Sequence, residues 1–223
     1  MSRLVVFLLN VAAGFWKKPP VLLVLALNLI PVFCVWKLGW NALTLLVLYW
    51  VENVAIGVAN YIRLRAIERR NPQRVTRPFT LSSFFLMHYG LFTAVHGVFA
   101  FLVGGVIENP DPGATFARFW AERGSFGLAV LALFLVYGAE LLAWMRSDAP
   151  RTTDPDRQMF APYGRILVMH LTVLGGAAVM AATRAPAGYI LLLAVLKTLI
   201  ETWWAWFHAN ADVRGATMLK RTS

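Results

Sequence analysis

The chain has one cysteine, Cys34, in 223 residues, which excludes an internal disulfide and a multi-cysteine zinc site. Charge is scarce too. Charged residues make up 14% of the sequence, whereas a soluble domain carries roughly 25%. Acids are scarcest, at 11 against 21 lysines and arginines. Strand-like alternation recurs nowhere, and an open sheet exposed to lipid would leave its edge groups unsatisfied. Nothing reads as a nucleotide-binding loop.

Long apolar runs are abundant. The sequence is 59% hydrophobic, with a mean hydropathy of +0.61. A membrane-crossing helix needs about 20 mostly apolar residues. Six runs meet that length: Pro20–Trp40, Asn41–Ile62, Phe79–Val106, Ser125–Met145, Ile166–Thr183 and Ala187–His208. They predict an all-α integral membrane bundle of six transmembrane helices over residues 19–210, followed by a cytoplasmic tail, 211–223.

The net charge of +10 raises the question of nucleic acid, but its distribution points to a bilayer. Sixteen basic residues fall before the first run, after the second, between the fourth and fifth, and after the sixth; four fall on the other side. That asymmetry places both termini in the cytoplasm of a cell whose plasma (inner) membrane holds the protein. Anionic headgroups on that side are the expected partner, nucleic acid is not, and a second copy of the chain is left open. Trp36, Trp40 and Trp120 mark the outer boundary, and Trp144, Trp203 and Trp204 the inner one.

At the N-terminus, Leu4, Phe7, Leu8, Val11 and Phe15 share one helical face while Arg3, Asn10 and Lys17 share another. This predicts an amphipathic helix over residues 1–18, lying on the cytoplasmic surface. "ENPDPG" reads as a turn, "ATFARFWAE" as a short outer interfacial helix, and "RSDAPRTTDPDRQ" as a polar, mobile linker.

Ionisable residues inside the runs are the candidates for function. An ionised side chain at a helix centre costs about 2.5–3.5 kcal/mol on insertion scales, so such groups must be paired, protonated or turned to a polar interior. Glu52 and Lys197 lie near the midpoints of their runs. His88, Glu140, His170 and Glu201 lie at one level, slightly to the cytoplasmic side. The expectation is a ligand- or proton-binding cluster of Glu52, His88, Glu140, His170, Glu201 and Lys197. Glu52, His88 and His170 within it are candidate ligands for a divalent metal such as zinc, iron or manganese. Lys197 and Glu201 are four apart and also able to pair on their own helix. His96 is about 12 Å along the helix from His88, too far to share one ion, and needs its own partner, such as Tyr49.

Small residues mark close helix approaches: Gly90, Ala94, Gly97 and Gly104 in the third run, Asn53, Gly57 and Asn60 in the second. Pro31 should kink the first run near Asn28. Tyr49-x-x-Glu52 and Tyr137-x-x-Glu140, each followed by a Met-His pair, suggest a parallel tandem repeat.

"NLIP" (28–31), "YWVEN" (49–53), "HYGLFTAVHG" (88–97) and "PYGRILVMH" (162–170) fall in order over residues 20 to 210. Together they resemble a bacterial and archaeal family of multi-pass membrane proteins known only as a domain of unknown function. That resemblance implies no site roles. Phe92-x-x-x-His96 also resembles one motif of the glutamate-type intramembrane proteases, but Glu52-Asn53 lacks their paired acid and following arginine. The function expected is binding or transport of a proton, metal ion or small polar ligand. The alternatives are an intramembrane hydrolase, or a structural, partner-binding membrane protein.

Overall fold

The computed structural model describes residues 19–70, 80–108, 111–164, 166–167, 192 and 194–203. Every regular element among them is helical. In order these are α1 (Pro19–Leu38), α2 (Ala42–Arg70), α3 (Leu81–Glu108), α4 (Pro112–Ala121), α5 (Arg123–Arg146), α6 (Ala149–Thr152) and α7 (Pro155–Phe160), followed by a helical segment at 194–203. Three of them, α2, α3 and α5, are long and apolar enough to cross a membrane, and α1 adds a shorter apolar stretch at Leu25–Leu38. Run five lies mostly, and run six by half, outside the described residues; the amphipathic segment 1–18 and the tail 211–223 lie wholly outside them.

The helix α2 is the axis of the fold. Its apolar window is 72% buried, against 22% for α3 and 17% for α5, which pack around it. On one side Cys34, Leu48, Ala55, Ala129, Leu133 and Tyr137 join α1, α2 and α5. On the other, Leu64, Phe85, Tyr89, Met159 and Ile166 join α2, α3 and the segment around α7. The outward faces of α3 and α5 stay apolar: Met87 is 72% exposed, and Leu91, Leu102, Leu128 and Leu135 are similarly bare. Polar groups thus collect on the central helix while apolar ones face outwards, the arrangement that suits a hydrocarbon surround.

Glycine allows α2 and α3 to approach. A Cβ on Gly97 would stand 2.8 Å from Trp50 Nε1, and one on Gly104 would stand 2.7 Å from the Leu43 backbone. Gly57 receives the Tyr89 ring, whose hydroxyl donates to the Asn53 carbonyl at 2.9 Å. Trp50 Nε1 donates to the Thr93 carbonyl at 2.9 Å. Gly90 and Ala94, expected on the same face, line a cleft between α3 and Trp50, Val54 and Gly57 of α2 instead of a close contact. Open space surrounds Gly90, and Ala94 is exposed.

Capping sets the ends. Gly39, at φ +66°, stops α1 in a conformation only glycine adopts freely. Asp111 caps α4, its carboxylate accepting from Gly113 N at 2.9 Å with Pro112 in the first turn. The N-terminus of α3 borrows its cap from α2: Glu68 accepts from Ser82 N at 2.8 Å and Ser82 Oγ at 2.6 Å. The linker expected to be mobile is instead built into α6 and α7. Asp154 accepts from Arg157 N at 3.0 Å, Pro155 opens the first turn, and Pro150 and Met159 are buried. An Asp-Pro pair is a helix start, and here that signal outweighs the polar composition. Trp40, at the turn between α1 and α2, is buried and donates to Ser125 Oγ at 2.9 Å. Trp36 and Trp120 are exposed, each beneath a cation, Lys37 and Arg123.

Candidate functional site

Four helical segments converge on Lys197, which is 2% exposed. An ammonium has three N–H donors. They go to Glu52 Oε2 on α2 at 2.8 Å, to Glu201 Oε1 one turn along its own segment at 2.8 Å, and to Asn28 Oδ1 on α1 at 3.0 Å. The acceptors are tied in turn. Asn28 Nδ2 donates to Glu201 Oε2 at 3.0 Å, and the Tyr137 hydroxyl on α5 donates to Glu52 Oε1 at 2.8 Å. Each carboxylate oxygen therefore has a donor. The Tyr49 ring, one turn before Glu52, lies 4.6 Å below the ammonium. Its negative π face attracts the charge. Thr198 Oγ1 donates to the Asn28 carbonyl at 3.1 Å and pins α1 to the 194–203 segment.

Pro31 sits one turn after Leu27 and has no N–H to offer that carbonyl. Beside this break is a cavity of about 10 Å³, lined by Leu27, Asn28, Pro31 and Glu52 among others. That is room for about one water molecule. With both carboxylates ionised, the charges of Glu52, Lys197 and Glu201 sum to one negative.

The structure thus brings together Glu52, Lys197 and Glu201 from the expected set. His88 and Glu140 are elsewhere. His88 is exposed on α3, stacked on Phe84, with Nδ1 bonded to the Tyr163 hydroxyl at 2.7 Å. The expectation that it turns inward fails because Tyr89, the next residue along the helix, takes the buried position. Glu140 is exposed on α5. His170 lies outside the described residues. Among the described residues no three His, Cys, Asp or Glu side chains gather to hold a metal. Between Glu52 and Glu201, the place a cation would take is filled by the Lys197 ammonium. His96 bonds its own helix, Nδ1 to the Phe92 carbonyl at 2.6 Å, with its ring 4.2 Å from that of Phe92. Its expected neighbour Tyr49 faces Lys197 instead. The Tyr-x-x-Glu echo does not carry equivalent roles: Tyr137 serves the first unit's Glu52, while Glu140 stays exposed.

Two members of the network had a weaker signal in the sequence. Asn28 is a polar residue three before the helix proline. Tyr137 is a hydroxyl one turn from an acid inside an apolar run. Both are residue types that a buried ion pair needs to fill its remaining hydrogen bonds.

A second constellation closes the α4 end of the fold. Glu122 Oε2 accepts from Thr44 Oγ1 and, at 3.4 Å, from Asn41 N, while Asn41 Oδ1 accepts from Thr44 N at 2.7 Å. Burial pushes the Glu122 carboxyl above its ordinary value; the Thr44 and Asn41 hydrogen bonds and nearby Arg118 oppose that shift.

A family model described as a family of unknown function (DUF6498) matches residues 10–219. The chain belongs to that family. No curated protein and no solved structure matches it. Family membership therefore agrees with the resemblance carried by the four motifs and assigns no activity, so the chemistry must be argued from the network itself.

Proposed function

We propose that this member of the family is a six-span membrane protein whose Glu52–Lys197–Glu201 triad binds and exchanges one proton, and that this exchange is coupled to movement of a solute. The observation that carries the reading is the charge imbalance. Two buried carboxylates face one ammonium, and the surplus charge is costly in a low-dielectric surround. Binding one proton removes it. The one-water cavity beside Glu52 supports a route by which that proton comes and goes. The saturated Lys197 has no donor left for a substrate, which argues against a lysine nucleophile. Both Glu52 oxygens are already engaged, which weighs against a glutamate that activates water for hydrolysis.

The completeness of the network favours a second reading, a lock that fixes four segments without exchanging protons. Infrared spectroscopy of the purified protein in lipid separates the two. The exchange reading expects a protonated carboxyl band that changes with pH and is lost or shifted in Glu52→Gln or Glu201→Gln. A carboxyl signal that stays constant as pH changes leaves the lock.

A further inference from the structure

The Tyr137 hydroxyl that donates to Glu52 Oε1 belongs to a side chain with a second neighbour. Tyr137 also walls a cleft of about 160 Å³ between α2, α5 and residues 161–162, together with Asn60, Arg63 and Glu140. This cleft and the one-water cavity lie on opposite sides of the Tyr137–Glu52 bond. Residues 56–63 of α2 and 137–140 of α5 wall the cleft, whereas residues 48–52 and 129–133 wall the cavity. Apart from Asn28 and Glu52, the cavity is lined by Leu27, Ile30, Pro31, Leu48, Ala129 and Leu133, none of which exchanges protons.

The cleft differs in size, polarity and access. At about 30 Å³ per water it has room for roughly five waters, and its polar walls supply their hydrogen-bond partners. Its mouth meets charged surface. Ala161 there is exposed and follows α7, whose Asp156 and Arg157 are exposed too. Glu140, also exposed, stands about 9 Å along α5 from Arg146, the last residue of that helix. Glu140 and Tyr137 are three residues apart, the spacing that makes side chains neighbours on a helix surface. A carboxyl at the mouth, a few waters and a phenol bonded to Glu52 thus stand in series. The phenol oxygen both donates and accepts, so it can take one proton as it gives up another.

We infer that the triad draws its proton through this cleft, with Glu140 as the collecting carboxyl and Tyr137 as the relay to Glu52. The inference rests on the proton-exchange reading of the triad and adds its point of entry. Glu140 hands a proton to a water in the cleft and regains one from solution. That water passes a proton to the Tyr137 oxygen as the phenol's own proton moves to Glu52 Oε1. Tyr137 ends neutral, Glu52 ends as the neutral acid, and one proton has left the solution. Glu52 Oε2 keeps its bond to Lys197, which retains all three of its protons and its pairing with Glu201 at 2.8 Å. The Tyr49 ring keeps its place 4.6 Å from that ammonium. Arg63, the cation in the cleft wall, takes no part in the transfer, since a guanidinium keeps its protons.

A pH jump on the full-length protein in lipid tests the route. The readout is the rate at which the infrared band of the buried protonated carboxyl grows. Glu140→Gln should keep the final height of that band but reach it about a hundredfold more slowly, the lower end of what a positioned proton donor supplies. Glu140→Asp should restore most of the wild-type rate. Formate, small enough for the cleft, should speed Glu140→Gln, a rescue that a merely structural role would not allow. Tyr137→Phe should be as slow and should not respond to formate, because its missing step lies beyond the cleft. Glu140 is exposed, so its variants keep the fold and decide the matter alone if Tyr137→Phe does not fold. A wild-type rate in Glu140→Gln, or a slow rate that formate leaves unchanged, overturns the route while the pH-dependent band leaves proton exchange standing. A wild type with no such band overturns the exchange reading itself, and the route with it.

Discussion

Replacing Lys197 by methionine removes the one cation from the triad while keeping an unbranched side chain of similar length. In the native network the ammonium donates to Glu52 and Glu201 at 2.8 Å each and to Asn28 at 3.0 Å. Without it, two carboxylates remain in a buried site, Glu52 still accepting from Tyr137 and Glu201 from Asn28 Nδ2. Breaking a buried ion pair by removing one partner costs about 3–5 kcal/mol, because the other charge is left uncompensated. That is a large share of the 5–15 kcal/mol that holds a typical domain together. The assay is thermal melting in one detergent at several pH values. Lys197→Met should melt far below the wild type at pH 8 and recover part of the difference at pH 5, where the carboxylates can take protons. Adding Glu52→Gln and Glu201→Gln should restore most of the loss at pH 8, since the triple variant buries no charge. If the loss is the same at both pH values and the triple variant does no better than the single one, the effect is packing around the lysine stem, and the electrostatic account fails.

Other outcomes follow from the same geometry. Gly97→Leu should destabilise by about 1–3 kcal/mol or prevent folding, since even a Cβ meets the Trp50 indole at 2.8 Å, whereas Leu102→Ala, at a position 61% exposed, should leave the detergent melting temperature nearly unchanged. Glu68→Ala should cost about 1–2 kcal/mol in the same melt through the lost cap on Ser82, and Glu68→Gln less, because its amide oxygen can still accept one bond. Glu122 has a folded-state carboxyl value above its unfolded one, so the folded state holds its proton more tightly. Its contribution is fully present below the ordinary carboxyl value of about 4.5 and is lost as pH rises through the raised value. Glu122→Gln should remove that part of the pH dependence of melting; an unchanged pH profile would show that Glu122 is not its source.

Much of the scaffold was legible because long apolar runs bounded by Pro, Gly and charged residues form long helices. The limits of α1, α2, α3 and α5 fall near the apolar runs, and where α2 extends to Arg70, its extra turns are the ones carrying arginine. Depth was legible too, from rise per residue, and depth is what selected Glu52, Lys197 and Glu201. Azimuth was not. His88 has the right level but lies on the outward side of α3, and an almost uniformly apolar helix has no polar face from which its rotation can be read. The very small hydrophobic asymmetry of α5 is the physical reason: Leu128, Leu131 and Leu135 suit lipid, Leu133 and Ala129 suit a neighbour, and their chemistry is the same. Glycines partly break that degeneracy, since Gly97 and Gly104 do lie against α2, yet Gly90 in the same run does not.

What resolves the rotation is hydrogen-bond demand. A lysine at mid-depth requires acceptors from other helices, and only one rotation of each helix can deliver Asn28, Glu52 and Tyr137 to it at once. Turning α5 to place Tyr137 against Glu52 keeps Glu140, a heptad after the buried Leu133, on the same side of the helix, one turn beyond the packed core. There it becomes a wall of the cleft that also holds Asn60 and Arg63. Tyr137 lines that cleft while donating to Glu52. Glu140 thus stays on the side of α5 that carries Tyr137, and the two polar sites of α5 are fixed by one helix rotation.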